Sequence, residues 1–142
     1  MFKEILLPLD MQETQLSERA IVVAQELAAR DAANLSVITV IPDFGMPLVA
    51  SYFPDDALER AEREVTAELR RFIDGHFNQP AAVRAVVRQG KPHKAVVRYA
   101  REHGTDLIVM PARAKDISKV LLGSSTNHVA ERAPCSVLVV RP

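Results

Sequence analysis

Asp106-Leu107-Ile108-Val109-Met110, Leu121-Leu122-Gly123-Ser124-Ser125-Thr126 and Val137-Leu138-Val139-Val140 follow one another in the last third of the sequence. The first and last of these runs are short and almost wholly apolar, the pattern of a strand covered on both faces. Between them, Gly123 opens a helical pattern that continues through Val129, Ala130 and Ala133. Strand, helix, strand with continuous apolar strands is a crossover unit, and its two strands are parallel. The fold reading grows outward from this unit.

Towards the N-terminus the same alternation repeats. Ile5-Leu6-Leu7-Pro8, bounded by Asp10, reads as a buried strand, and Leu16, Ala20, Val23, Ala24 and Leu27 recur at helical spacing up to about Asp31. Asn34 to Ile41 is a β-branched second strand ended by Pro42. Residues 42 to 54 hold three prolines and a glycine and read as an irregular loop over a cleft or a partner subunit. From Asp55, the spacing of Leu58, Ala61, Val65, Leu69, Phe72 and Ile73 predicts a long amphipathic helix. Asp55, Asp56 and Glu59 fall in its first turn, where they suit the helix dipole as a solvated face. Ala82 to Arg88 is a weaker strand. Gly90-Lys91-Pro92 then turns the chain into a third helix, with Gly104 as its C-cap. The expected fold class is α/β: residues 1–142 as a single doubly wound, Rossmann-like domain, with a five-stranded, mostly parallel sheet and helices on both faces. Pro8 to Asp10, Val40 to Pro42, Gln89-Gly90 and Met110 to Lys115 all fall at the carboxyl ends of strands, where such sheets bind ligands.

Composition narrows the function. Lys plus Arg and Asp plus Glu each number 18 in 142 residues, so the chain has no general attraction for nucleic acid. The lone Cys135 cannot form an internal disulfide and reads as a small buried residue. The sequence enters a strand at once, so no signal peptide is expected, and no apolar run approaches the ~20 residues of a membrane helix. A soluble, cytoplasmic protein without membrane insertion is expected.

Leu121 to Thr126 presents backbone N–H groups and hydroxyls at the positive end of a helix dipole, which is how proteins hold phosphate. Arg113, Lys115 and Lys119 precede it. Capping of the last helix is the structural alternative for the hydroxyl residues, and a solvated basic loop is the alternative for Arg113 and Lys115. The P-loop signature is absent, and with five glycines no glycine-rich turn follows the first strand. A phosphoacceptor would need an acidic residue where Arg88-Gln89-Gly90 stands. His76, His93, His103 and His128 lack metal-ligand spacing and read as surface histidines. Gly123-Ser124-Ser125 is not a nucleophile elbow. No catalytic residue and no metal site is expected.

Together these motifs resemble the universal stress proteins. Ile5-Leu6-Leu7-Pro8-Leu9-Asp10 is similar to their opening, Thr39-Val40-Ile41 to their second-strand end, and Gly90-Lys91-Pro92 to their G-x-P turn. Leu121 to Thr126, followed by Ala133 to Arg141, is similar to their C-terminal hallmark. The resemblance implies an adenine nucleotide alpha hydrolase-like domain that binds ATP or AMP, with magnesium as a companion of the phosphates, although Asp10 alone makes no magnesium pocket. It implies that Asp10 holds the ribose, that Val40 meets adenine through its backbone, and that Pro8 and Leu9 line the base pocket. Gly123, Ser124, Ser125 and Thr126 would take the phosphates. The usual G-x-x-G after the fourth strand is missing: Met110-Pro111-Ala112-Arg113-Ala114-Lys115 stands there instead. Glycine permits close backbone approach, so its loss bears on the site. Arg113-Ala114-Lys115-Asp116-Ile117-Ser118 resembles the S-x-R-x-x-x-I-[ST] loop of a nucleotide-binding branch, in which cations would meet phosphate directly.

The function expected first is a nucleotide-binding regulator whose occupancy tunes oligomerisation or binding to an unidentified protein, such as a transporter or an enzyme. A homodimer through the last strand, or a tetramer, is its expected assembly. The rival is a nucleotide-free dimeric interaction module of the same family. A slow ATPase ranks last, because no general base is identifiable beside the phosphate loop.

Overall fold

The computed structural model describes residues 1–43, 56–112 and 123–142. Strands β1 (Glu4–Pro8), β2 (Asn34–Pro42), β3 (Val83–Gly90), β4 (Leu107–Pro111) and β5 (Ser136–Val140) alternate with helices α1 (Glu18–Asp31), α2 (Ala57–His76), α3 (Pro92–Glu102) and α4 (Ser124–Arg132). The strands form one sheet in the order β3-β2-β1-β4-β5, and every pair in it is parallel. The expected fold class is therefore observed, with a sheet that is parallel throughout rather than mostly so.

Side chains alternate across each strand, and this sorts the core into two layers. Ile5, Leu7, Val37 and Val109 face Ala20, Ile21 and Ala24 of α1 and Leu69 and Ile73 of α2. Leu6, Ile38, Val86 and Ile108 face Val96, Val97 and Ala100 of α3 and Val129 of α4. The chain lays β1, β2 and β3 outward through α1 and α2 on one face. It then crosses back over the other face and adds β4 and β5 on the far side of β1. Right-handed connections require this change of face when the direction of strand addition reverses.

Several boundaries differ from the sequence reading for local reasons. β2 runs on through Pro42, opposite Gly90 at the end of β3. Proline costs nothing there, because the strand has no further ladder to supply. Asp106 lies outside β4. Its carboxylate instead accepts the backbone N–H groups of Lys3 at 2.8 Å and Glu4 at 3.1 Å. Gly104, at φ 65°, follows the cap residue His103, while Thr105 donates its N–H to the carbonyl of Ala100 at 3.0 Å. That is a Schellman turn, so the glycine serves one position beyond the cap. Ala133 follows α4 as its C-cap rather than belonging to it. Residues 44–55 and 113–122, with most of the proline-containing loop and Asp55, lie outside the described residues.

Asp31 ties the end of α1 to the start of the chain. It accepts the N–H of Phe2 at 2.9 Å, pairs with Arg30 at 2.8 Å and lies 3.5 Å from the terminal amine. The Arg30 hydrogen bond, then that of Phe2, holds its carboxyl far below the usual carboxylate range. A depressed acid stabilises the fold above its unfolded pKa, near 4, and loses that contribution as pH falls towards its folded value. Asp31→Asn is accordingly expected to lower the melting temperature at neutral pH. The gap from wild type should close as the solution is acidified below about pH 4, read by thermal denaturation monitored by circular dichroism.

Candidate functional site at the carboxyl ends of the central strands

β1 and β4 are neighbours whose outgoing connections run over opposite faces of the sheet, so a crevice opens above their carboxyl ends. Pro8 ends β1 opposite Ile38 and is buried. Leu9 continues the ladder by donating its N–H to Ile38 at 2.8 Å, with its side chain in the α1–α2 layer of the core. Asp10 follows at the rim, half-buried. Its Oδ1 accepts the N–H of Gln12 at 2.9 Å and its carbonyl accepts the N–H of Glu13 at 3.1 Å. This Asx turn fixes the carboxylate at the mouth of the crevice. Val40, near the end of β2, and Met110, near the end of β4, pack half-buried against the α3–α4 layer. Pro111 pairs with Val140, and Ala112 is fully buried and donates to the Val140 carbonyl at 2.9 Å.

α4 starts at the same end of the sheet. Its N-cap is Gly123, at φ −57° and ψ 157°, with no side-chain cap hydrogen bond. Ser124, Ser125 and Thr126 are thus the first three helical residues, and the N-cap position is held by the glycine and not by one of their hydroxyls. Ser124 is exposed and Ser125 half-buried, whereas Thr126 is only 2% exposed. A phosphate could meet two of these side chains, while Thr126 offers its backbone N–H alone. Asp10, Val40, Met110, Pro111 and the Gly123–Thr126 turn therefore share one end of the sheet. Arg113 and Lys115, the cations expected to reach the phosphates, lie outside the described residues.

Two expectations need correction. Cys135 is half-buried rather than buried. Desolvation, reinforced by Asp106 and offset in part by a hydrogen bond from Ile108, pushes its thiol above the ordinary range, so it is a poor nucleophile. His93 and His128 are not separate surface residues. Both are half-buried, and their rings meet across α3 and α4 with centroids 4.1 Å apart. Burial, followed by His128, Lys94 and Lys91, lowers the pKa of His93. The two lie 35 positions apart in the chain, and no linear motif joins them; only the packing of α3 on α4 brings them together.

The chain matches the sequence profile of the universal stress protein family over residues 1–141. The chain belongs to that family. It is 31% identical to universal stress protein G of Salmonella typhimurium, covering 99% of this chain and all of that one. Among solved structures, universal stress protein UspA from Lactobacillus plantarum is similar at a TM-score of 0.72, with 25% identity over 99% of this chain and 98% of that one. Two more distant neighbours share the fold. One is a universal stress protein in complex with cAMP, at TM-score 0.69 and 20% identity over 99% of this chain and 97% of that one. The other is an Archaeoglobus fulgidus protein in complex with dAMP, at TM-score 0.63 and 18% identity over 99% of this chain and 98% of that one.

A second concavity, of about 350 Å³, lies along the edge of β3 between α2 and α3 and is lined by Arg84, Arg88, Tyr99, His103, Glu62 and Thr66. Arg88 sits over the Tyr99 ring at 5.2 Å, and none of these residues belongs to the carboxyl-end crevice. The groove lies at the sheet edge, away from the carboxyl-end position where open α/β sheets ordinarily take ligands.

The dihedral angles of Gly123 suit any residue, so the glycine is not there for backbone freedom. Gly123 is half-buried at the N-cap, where valine is a poor replacement, so Gly123→Val is expected to fold but to melt about 2–4 °C below wild type, a cost of about 1 kcal/mol. A fall of many degrees would place the glycine among the structural residues.

Proposed function

We propose that this universal stress protein is a cytoplasmic adenine-nucleotide-binding regulator, with ATP or AMP held between the carboxyl ends of β1, β2 and β4 and the start of α4. The observation that carries this reading is an α4 N-terminus with no side-chain cap, placed at the same end of the sheet as Asp10. Uncapped N–H groups favour an anion, and a carboxylate at the opposite rim favours a ribose hydroxyl donor. The neighbours solved with cAMP and dAMP support the choice of an adenine nucleotide. The residues fit the ligand: Asp10 takes the ribose, the Val40 backbone the base, and Gly123 with Ser124 and Ser125 the phosphates. Among the described residues no three ligating side chains come together, so magnesium would arrive with the phosphates. The reading is of binding, not turnover.

Occupancy is coupled to assembly in this proposal. Among the described residues β5 is an edge strand paired only with β4, and Leu138 on it is 39% exposed. An unpaired apolar edge invites a second copy of the same strand, which gives a two-fold homodimer or a pair of them. Ligand contacts at the β4–α4 connection, which leads into β5, would bias that interface or the surface offered to a protein partner.

Nucleotide released by heating the purified protein, identified by chromatography, is the expected first result. A clean ultraviolet spectrum with no thermal shift on adding ATP would favour the nucleotide-free interaction module, the reading that Pro111 and Ala112 support in place of glycines. Asp10→Ala is expected to weaken ATP by roughly ten- to a hundredfold, the loss of charge-assisted hydrogen bonds worth about 1.5–3 kcal/mol. Gly123→Val should bind far more weakly still while remaining folded. Leu138→Lys is expected to shift the assembly towards monomer in analytical ultracentrifugation; an unchanged sedimentation coefficient would move the interface away from β5.

A further inference from the structure

His128 lies one helical turn beyond Ser124, on the side of α4 that meets α3. Side chains on a helix lean towards its N-terminus, so this ring stands over the Ser124–Ser125 turn and not over its own. His93 is the second residue of α3, whose N-terminus also opens at the carboxyl end of the sheet. The two rings, 4.1 Å apart with planes inclined at 54°, form a half-buried wall beside the uncapped start of α4. Two imidazolium ions at that separation repel one another. Lys91 and Lys94 add further positive charge from α3. The core layer under α3 and α4 includes the apolar side chains Val40, Val86 and Met110, while Arg88 of β3 sits over Tyr99. Lys91 and Lys94 are thus the charges that accompany the pair on α3, while the carboxylate of Asp10 stands beyond β1 at the opposite rim of the crevice.

We infer that the His93–His128 pair is a phosphate-contacting wall of the nucleotide site, one ring taking up a proton as the terminal phosphate arrives, so that nucleotide is held more tightly as pH falls. The inference rests on the nucleotide reading above and adds its regulation. The sign follows from linkage. In the free protein His93 titrates below the ordinary histidine value, and a phosphate dianion beside the pair raises that value in the complex. Between the two values binding consumes a proton. Affinity therefore rises as pH drops through the bound-state value and levels off below the free-state value. A rise of one unit is worth about tenfold in affinity. Such a site would fill as the cytoplasm acidifies, without any change in nucleotide concentration.

Isothermal titration of ATP into wild type and into the His93→Gln, His128→Gln double variant, between about pH 5.5 and about pH 8, tests this directly, since that range spans ordinary histidine titration. The double variant supplies the baseline for the titration of ATP itself. Wild type is expected to gain about tenfold more affinity than the variant across the range. In parallel, wild type in two buffers of different ionisation heat should show proton uptake exceeding that of the variant, a readout that a purely packing role for the rings would not move. The single variants, with thermal melts taken beside them, guard against a folding defect in the double. Parallel pH profiles, with ATP bound by both proteins, would overturn the inference and leave the nucleotide site standing. Failure of wild type to bind ATP at any pH would overturn both.

Discussion

β1 is buried on both faces and hydrogen-bonded along both edges, so every other element is arranged around a strand that water cannot reach. Ile5, Leu6 and Leu7 are each within 1% of complete burial. Such a strand needs a helical layer above and below, which parallel crossovers provide. It also needs neighbours on two sides, which forces the order of strand addition to reverse beside it. The crevice above β1 and β4 is the geometric consequence of that reversal. No residue had to be spent on opening it.

What the crevice can hold is decided by the two features on its rim. Asp10 is oriented by an Asx turn just beyond β1, and α4 begins on a glycine that leaves its first N–H groups without a side-chain cap. A carboxylate and a helix N-terminus face the same opening with opposite signs of charge, as suits a ligand that is a hydroxyl donor at one end and an anion at the other. The His93–His128 pair adds a third property, a charge that depends on pH, beside the anionic end. The two helix starts meet there because α3 and α4 share the second face of the sheet. The reversal at β1 thus explains the juxtaposition of histidines as well as the crevice.

Much of this was legible in the order of residues. Continuous apolar runs at Ile5 to Leu7 and Leu107 to Val109 identify buried parallel strands, whereas the equally apolar Val137 to Val140 forms an edge strand that is only partly covered, and Pro92 and Gly104 bracket α3 as turn chemistry requires. Gly123 and the serines mark a helix start that can meet an anion. Less legible were features that depend on a partner distant in sequence. Asp106 has the composition of a strand residue's neighbour, yet it binds the backbone of Lys3 and Glu4. Ala32 adopts a left-handed conformation, φ 53°, at the end of α1, a place where glycine would ordinarily signal the stop. Thr126 sits in a hydroxyl-rich run but turns into the core, since the third position of α4 faces the sheet.

The sequence by itself determined the alternation of strands and helices and the parallel character of the sheet, because periodicity and turn chemistry are local properties of the chain. It also carried the resemblance that names the family. Only the tertiary structure decided which hydroxyl residue is buried, that the serines leave α4 uncapped, and that His93 and His128 stand in contact. Those facts depend on how α3 and α4 pack over the sheet, and packing across 35 positions of chain leaves no periodic trace in sequence.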